Sequence, residues 1–251
     1  MMDRRIGAQL YTLRDYGKTE EQLDETFAKL KEIGYKTVQV SGMPALTGAQ
    51  VRKACDKYGI EPIVTHRGYD EYVNKTDEVI KYHEELGCNI CGLGCMPGEL
   101  ANPEGVLKFI ENMKPAVEAV RKSGRCFVYH NHAFEFQKYD GKYIMDMLIE
   151  KTDFDFVVDV YWLAYAGINP AKFIRGLGKR AKIIHFKDLA IINNEIVMAE
   201  VLEGNLDFDE IISACDEAGA EAAFVEQDIC RRNPFESLKI SYDNLKAKGF
   251  N

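Results

Sequence analysis

The chain lacks any apolar run near the length that a membrane-spanning helix needs, about 18 residues. No apolar signal region precedes the first strand-like segment in MMDRRIGAQL. Cationic surface is also scarce, because 40 acidic against 32 basic side chains give a formal net charge of −8. Broad nucleic-acid binding depends on cationic surface that displaces counterions. We therefore expect a cytoplasmic protein that binds neither membranes nor nucleic acids.

Disulfide bonds are not expected, because the seven cysteines are odd in number and no secretion signal is present. Cys88, Cys91 and Cys95 have a C-x2-C-x3-C spacing that could suggest a metal cluster. A buried strand through NICGLGCM explains them better, since small thiols pack well in a core. Alternation along that strand would turn Cys88 and Cys91 to opposite faces. The sequence therefore predicts reduced thiols and no cluster.

Strand-like and helix-like stretches alternate along the 251 residues. Short apolar runs predict strands at 5–10, 36–40, 61–66, 89–93, 125–130, 155–160, 181–186 and 221–226. Amphipathic stretches predict helices at 19–33, 47–58, 70–86, 103–123, 141–151, 169–177, 207–218 and 234–248. Several predicted helices are followed by a glycine of the kind that ends a helix, namely Gly34, Gly59, Gly87, Gly124 and Gly219. The pattern is typical of repeated β/α units.

Eight β/α units in about 250 residues match a (β/α)8 barrel in number and size. The main alternative is a doubly wound open sheet, but no G-x-G-x-x-G follows the first strand and no P-loop occurs. We therefore predict an α/β fold, a TIM barrel, formed by a single domain over residues 1–251. The loop from Asp188 to Asp207 is unusually long, and long βα loops often cover active sites.

Polar side chains that can bind a divalent metal end four of the later strands. The segments are FVYHNH with His130 and His132, FDFVVD with Asp159, KIIHFKD with His185, and AAFVEQD with Glu226. In a TIM barrel such strand ends form the active site, and an unpaired carboxylate buried there would be costly. The simpler alternatives are a turn cap for Asp159 and a core histidine for His185. Imidazole and carboxylate ligands suit zinc, manganese, cobalt or magnesium.

Alternation along a strand suggests that further side chains share the inward face. His130 would share a face with His132, Asp159 with Tyr161, His185 with Lys187, and Glu226 with Asp228. We predict that Gln9, His66, His132 and Trp162 contact the substrate, Trp162 as an apolar wall against a sugar face, although core packing is the open alternative for Trp162. Lys187 and Asp188 have two open interpretations, an exposed ion pair or contacts with substrate.

The segments YHNHAFEF, VVDVYW, IIHFKD and FVEQD resemble the sugar phosphate isomerase/epimerase superfamily, the xylose isomerase-like TIM barrels. The resemblance covers essentially the whole chain. It implies that a Glu, an Asp, a His and a Glu bind one divalent cation, and Asp159, His185 and Glu226 match three of them. The first Glu is replaced, because its position reads His130-Asn131-His132. His130 would take its place, Glu135 would reach back, or metal binding would be weakened or lost.

The resemblance implies a metal-dependent isomerase or epimerase that abstracts a proton next to the carbonyl of a sugar, polyol or keto-sugar. Glu226 or His130 would act as the base, and Lys187 or His66 would hydrogen-bond developing oxyanions. The metal would stabilise the enediolate as a Lewis acid. The alternatives are a lyase or dehydratase, a glycoside-cleaving enzyme on keto-sugars, and a non-catalytic sugar-binding barrel. A small carbohydrate is the expected partner, and the sequence leaves a homo-oligomer open.

Overall fold

Eight parallel strands close into a barrel in the computed structural model, which describes residues 1–251. The chain forms twelve strands, which are β1 (Gly7–Gln9), β2 (Thr37–Val40), β3 (Glu61–Arg67), β4 (Ile90–Leu93), β5 (Cys126–His130), β6 (Lys138–Tyr139), β7 (Lys142–Tyr143), β8 (Asp155–Asp159), β9 (Ala181–Phe186), β10 (Asp188–Ile192), β11 (Glu195–Ala199) and β12 (Ala222–Val225). The pairs β6–β7 and β10–β11 are separate antiparallel hairpins. The other eight strands follow one another around the ring, which β1 closes by pairing with both β2 and β12.

Helices surround the barrel. They are α1 (Glu20–Ile33), α2 (Gly48–Tyr58), α3 (Tyr69–Asn74), α4 (Thr76–Leu86), α5 (Pro103–Lys122), α6 (Ile144–Lys151), α7 (Val160–Tyr165), α8 (Pro170–Leu177), α9 (Phe208–Ala218) and α10 (Pro234–Ala247). Side-chain caps begin several of them, as when Thr47 accepts a hydrogen bond from Gln50 N at the start of α2. None of the ten helices combines the length and apolar character that crossing a bilayer requires. The eight-stranded architecture confirms the predicted TIM barrel.

A small apolar layer fills the inside of the barrel and forms the floor of its C-terminal end. Its buried members are Val64, Ile90, Val128, Val157, Ile183, Ala222 and Phe224. A larger cluster of 60 buried residues packs between the strands and the helices. Because side chains alternate along a strand, the residue two positions after each floor residue also points inward. This rule places His66, His130, Asp159, His185 and Glu226 directly above the floor.

Three predicted segments differ from the structure. The predicted helix 70–86 divides at Lys75, whose backbone angles are not helical (φ −144°, ψ 38°). The predicted helix 141–151 begins only at Ile144, because a turn at Asp140 and Gly141 forms the β6–β7 hairpin first. The predicted loop 188–207 contains the β10–β11 hairpin, whose turn holds Asn193 and Asn194 with positive φ. Asparagine tolerates that conformation better than most residues do.

All seven cysteines are free thiols, as the sequence predicted. Cys88 and Cys91 do not face opposite sides of the strand, however. Strand β4 begins only at Ile90, so the alternation does not extend back to Cys88. Both side chains are buried in the cluster between the barrel and the helices. They serve as small core residues there.

Candidate active site

Four side chains meet at the C-terminal end of the barrel. One ligand atom each from His130, Asp159, His185 and Glu226 lies within 4.8 Å of the other three, and all four residues are buried. They come from the ends of four different strands, and each follows a floor residue by two positions. The structure therefore brings together the four residues that the sequence predicted as metal ligands.

Outer acceptors orient both imidazoles. His130 Nδ1 lies 3.0 Å from the carbonyl oxygen of Gly94. A carbonyl can only accept, so Nδ1 donates to Gly94, and this contact turns Nε2 toward the site, 3.4 Å from Asp159 Oδ2. His185 Nε2 donates to Gln39 Oε1 at 2.9 Å. Its Nδ1 therefore faces the carboxylates, as outer hydrogen bonds arrange in metal-binding histidines.

Asp159 performs two functions with its two carboxylate oxygens. Oδ1 accepts a hydrogen bond from Trp162 N at 3.1 Å and so caps α7. Oδ2 faces the site, 3.5 Å from His185 Nδ1 and 3.4 Å from Lys187 Nζ. The turn-cap and the metal-ligand interpretations of Asp159 are thus compatible. The start of α7 at Val160 also means that strand alternation does not govern Tyr161, which was expected to share the face of Asp159.

Lys187 is a buried cation within the site. Its Nζ lies 3.4 Å from Asp159 Oδ2 and 3.3 Å from Glu226 Oε2, and it also forms an ion pair with Asp228. Burial opposes its charge, but these three carboxylates outweigh burial and raise the pKa of Lys187. In turn, burial opposes the charge of Glu226, but Lys187 and His185 lower the pKa of that carboxyl. Lys187 thereby keeps the carboxylates of the site ionised.

His185 carries a second proton when no cation competes for Nδ1. Burial opposes the imidazolium, but the nearby carboxylates of Glu226 and Asp159 outweigh it and raise the pKa of His185 to about 9. Nδ1 lies 3.0 Å from Glu226 Oε2, yet it has no well-aligned hydrogen-bond partner. The atom is therefore aimed at the space between the carboxylates, where a divalent cation would replace its proton.

The donor set fits a divalent cation. Two imidazole nitrogens and two ionised carboxylates are ligands that zinc, manganese and cobalt accept. Glu135 does not complete the set, contrary to one of the three alternatives. It is fully buried, where it accepts hydrogen bonds from Tyr129 Oη at 2.7 Å and from His132 N at 2.8 Å. Burial raises the pKa of Glu135 to about 7.

A cavity of about 360 Å³ opens beside two of the four ligands. Its walls include Gln9, His66 and His132, three of the four residues predicted to meet substrate, and also His130 and Glu226. His66 Nε2 and His132 Nδ1 are buried without a hydrogen-bond partner. Burial, followed by the neighbouring His130, lowers the pKa of His132 to about 3, so its ring is neutral.

Trp162, the fourth predicted substrate contact, is not among the residues that line this cavity. Its ring packs against His132, with 5.6 Å between the ring centroids. Its face lies 5.0 Å from Lys187 Nζ, a cation–π distance. Trp162 thus supports the site from behind His132.

Lys187 and Asp188 are neither an exposed ion pair nor a joint substrate contact, because both are fully buried and they point to different partners. Lys187 faces the ligands. Asp188 accepts hydrogen bonds from four backbone N–H groups, those of Leu189, Leu202, Gly204 and Leu206. Asp188 is therefore a structural anchor for the segment that follows the β10–β11 hairpin.

Some residues of the site were not identified from the sequence. Gln39 is the outer partner of His185, and its signal was a polar residue in the apolar strand TVQV. Asp228 was noted only as sharing a face with Glu226, yet it lines the cavity and pairs with Lys187. The cavity wall also includes Arg67, which follows His66 at the end of the third strand, and Ser41, for which no sequence signal stands out.

A closed (β/α)8 barrel with buried histidines and carboxylates at its C-terminal end defines a TIM-barrel protein with a candidate metal centre. A family model described as the xylose isomerase-like TIM barrel matches residues 27–247. The chain belongs to this family, which confirms the resemblance inferred from its sequence.

Solved structures share the fold. A sugar phosphate isomerase/epimerase from Parabacteroides distasonis ATCC 8503 superposes with a TM-score of 0.80 at 23% identity, covering 98% of this chain and 94% of that one. A D-allulose 3-epimerase from Methylomonas sp. superposes with a TM-score of 0.73 at 10% identity, covering 99% of each chain. The probable 3-DHS dehydratase of Bacillus anthracis superposes with a TM-score of 0.73 at 12% identity, covering 98% of this chain and 99% of that one. A comparison with curated protein sequences gives no match.

Proposed function

We propose that the protein is a divalent-metal-dependent isomerase or epimerase that moves a proton next to the carbonyl of a sugar or keto-sugar. The observation that carries the proposal is the convergence of four oriented ligand atoms beside a cavity. His130 and His185 each turn one ring nitrogen toward the site because Gly94 and Gln39 accept from their other ring nitrogens. An ordinary packing role explains neither orientation.

Glu226 is the residue that we assign as general base. Its Oε2 contacts His185 and Lys187, and none of these contacts involves Oε1. Oε1 is therefore available to take a proton from a substrate carbon in the cavity. A divalent cation bound by the four ligands would supply Lewis acidity that stabilises the negative charge left on the substrate.

Other side chains of the chain bind and orient the substrate. The neutral imidazoles of His66 and His132 have free ring nitrogens in or beside the cavity wall and can hydrogen-bond substrate hydroxyls. Lys187 keeps Glu226 ionised, so its contribution to catalysis is a fixed positive charge behind the base. His130 contributes its Nε2 as the fourth ligand, in place of the glutamate that related barrels carry.

The test is hydrogen exchange in deuterium oxide. The protein is incubated with a ketohexose and with Mn²⁺, Mg²⁺, Co²⁺ or Zn²⁺ in turn, and NMR follows deuterium entering the carbons next to the carbonyl. Glu226→Gln should slow the exchange roughly 10²- to 10⁴-fold, the usual contribution of a general base. Asp159→Asn should abolish the metal-dependent hydrogen exchange.

Asp155→Asn is the matched control, because Asp155 begins the strand that Asp159 ends and lies away from the site. Its exchange rate should equal that of the unchanged protein. Full activity of Asp159→Asn would show the scheme to be wrong. The NMR spectra of the products separate isomerisation and epimerisation from dehydration or elimination, which begin with the same proton abstraction.

A further inference from the structure

A second cavity lies next to the first at the rim of the barrel. Its volume is about 270 Å³, and it lies over the loop that follows β2. The two cavities share four wall residues, which are Ser41, Gly42, His66 and Arg67. We call this second space the side cavity; Pro44 and Tyr82 also line it. The two cavities are therefore neighbours, separated by no more than these four residues.

The charges of these walls disfavour an anionic ligand. Arg67 is the one cation among the residues that line the two cavities. Its guanidinium already forms an ion pair with Glu71, and it lies over the ring of Tyr82 at 4.4 Å. The same walls contain Glu71, Glu226 and Asp228. A phosphate group in the side cavity would meet Glu71 and the arginine that is already paired with it, and one in the main cavity would meet Glu226 and Asp228. Phosphate sites normally offer free cations or amide groups instead.

Hydrogen-bonding groups with unused capacity line the shared wall. Ser41 Oγ accepts from Gln9 Nε2 at 3.2 Å, which leaves its own hydroxyl proton to donate. Arg67 Nε and His66 Nε2 are buried and have no hydrogen-bond partner. Buried polar groups of this kind normally find a partner. Sugar hydroxyls, which both donate and accept, suit all three groups.

We propose that the protein binds an uncharged carbohydrate of at least two units. One unit lies at the metal ligands and the second occupies the side cavity beyond Arg67. The inference rests on the proposed function for the first unit and adds the length and the charge of the substrate. It excludes a sugar phosphate as the preferred ligand.

The test compares related ligands by isothermal titration calorimetry on protein loaded with Mn²⁺. The ligands are D-fructose, its 1- and 6-phosphates, and the five reducing α-glucosyl-fructoses, which differ from one another in linkage. At least one disaccharide should bind about tenfold more tightly than fructose, a gain of roughly 1.4 kcal/mol. Neither phosphate should bind more tightly than fructose.

Substitutions at Pro44 locate the second unit, because this exposed residue lines the side cavity but not the main cavity. Pro44→Trp fills the side cavity and should weaken the disaccharide about tenfold while fructose binds as before. Pro44→Ala is the matched control and should leave both ligands unchanged. If Pro44→Trp weakened the binding of fructose and of the disaccharide equally, the placement of the second unit in the side cavity would be contradicted.

The proposal is overturned if a phosphate ester binds most tightly, or if no disaccharide binds more tightly than fructose. Hydrogen exchange measured on the same ligands keeps the two proposals apart. Disaccharide binding without exchange would leave this inference standing and refute the proposed function. Hydrogen exchange on fructose without preferential disaccharide binding would support the proposed function and refute this inference.

Discussion

Replacing Asp188 with asparagine tests how the segment after the β10–β11 hairpin is held beside the site. Oδ1 of Asp188 accepts from Leu189 N at 2.7 Å and from Leu206 N at 3.2 Å. Oδ2 accepts from Leu202 N and from Gly204 N, each at 3.0 Å. Asparagine has nearly the same shape but keeps a single acceptor oxygen. Its NH2 group must then face two backbone donors.

The cost follows from those two donors. A buried N–H left without an acceptor costs about 1–3 kcal/mol, so two cost about 2–6 kcal/mol. This is a large part of the roughly 5–15 kcal/mol that stabilises a domain. Residues 202–206 are partly exposed, however, and their amides can reach water if the segment opens. We therefore expect local opening of this segment rather than global unfolding.

Amide hydrogen exchange measures the effect residue by residue. In Asp188→Asn the amides of Leu202, Gly204 and Leu206 should exchange at least about 30-fold faster, which corresponds to roughly 2 kcal/mol. Amides of the barrel strands, such as Val157, should keep their protection.

Asp207→Asn is the matched control. Asp207 caps α9 by accepting from Glu210 N at 3.1 Å, and asparagine caps a helix as well as aspartate does. Its exchange rates should be unchanged. If Asp188→Asn kept the protection of all three amides within about twofold (roughly 0.4 kcal/mol), the four hydrogen bonds would not be what holds the segment.

Three further predictions concern the site. His130→Ala should lower the affinity for Mn²⁺ at least about tenfold, measured by competition with a chromophoric chelator, whereas His132→Ala should not; the reverse result would reassign the ligand. In the folded protein Glu135 has a pKa of about 7, against a usual pKa of 4.5. The unfolded state therefore binds fewer protons between these two pH values, and the free energy of unfolding falls by about 3 kcal/mol as the pH rises from one to the other. Glu135→Gln should remove that fall in urea unfolding at pH 4.5 and pH 7, and an unchanged slope would contradict the burial argument. Lys187→Met leaves buried carboxylates unpaired and should cost about 3–5 kcal/mol without metal; added Mn²⁺ should raise the melting temperature more in this variant than in the unchanged protein, and equal shifts would argue against the ion pairs.

The barrel and the four ligands could be predicted because their signals are local. Each ligand stands in its own strand, directly after an apolar run that only a buried strand explains, as in FDFVVD for Asp159. Helix caps and glycines placed the helices in the same way. The turn at Asn193 and Asn194 was also a local signal, since two such residues between apolar runs favour a hairpin. One long loop was nevertheless predicted from the sequence over this segment.

Outer partners could not be predicted in this way, because they depend on contacts across the barrel. Gln39 and His185 are 146 positions apart in the chain. Neighbours in the sequence were also misleading. Lys187 and Asp188 follow each other, yet the first reaches Asp228 and the second holds Gly204. Only the closed barrel determines that Lys187 faces the site, whereas Asp188 faces the segment after the β10–β11 hairpin.

The spacing between floor and ligand limits how this chain can change its length. Val128 and His130, or Val157 and Asp159, are separated by a single residue within their strands. A deletion or insertion of one residue between them would turn the ligand to the opposite face of the strand, into the apolar layer under the helices. The loops that follow the strands have no such restriction. We expect that natural or engineered insertions reshape the cavity through those loops, while the eight strand ends keep their register.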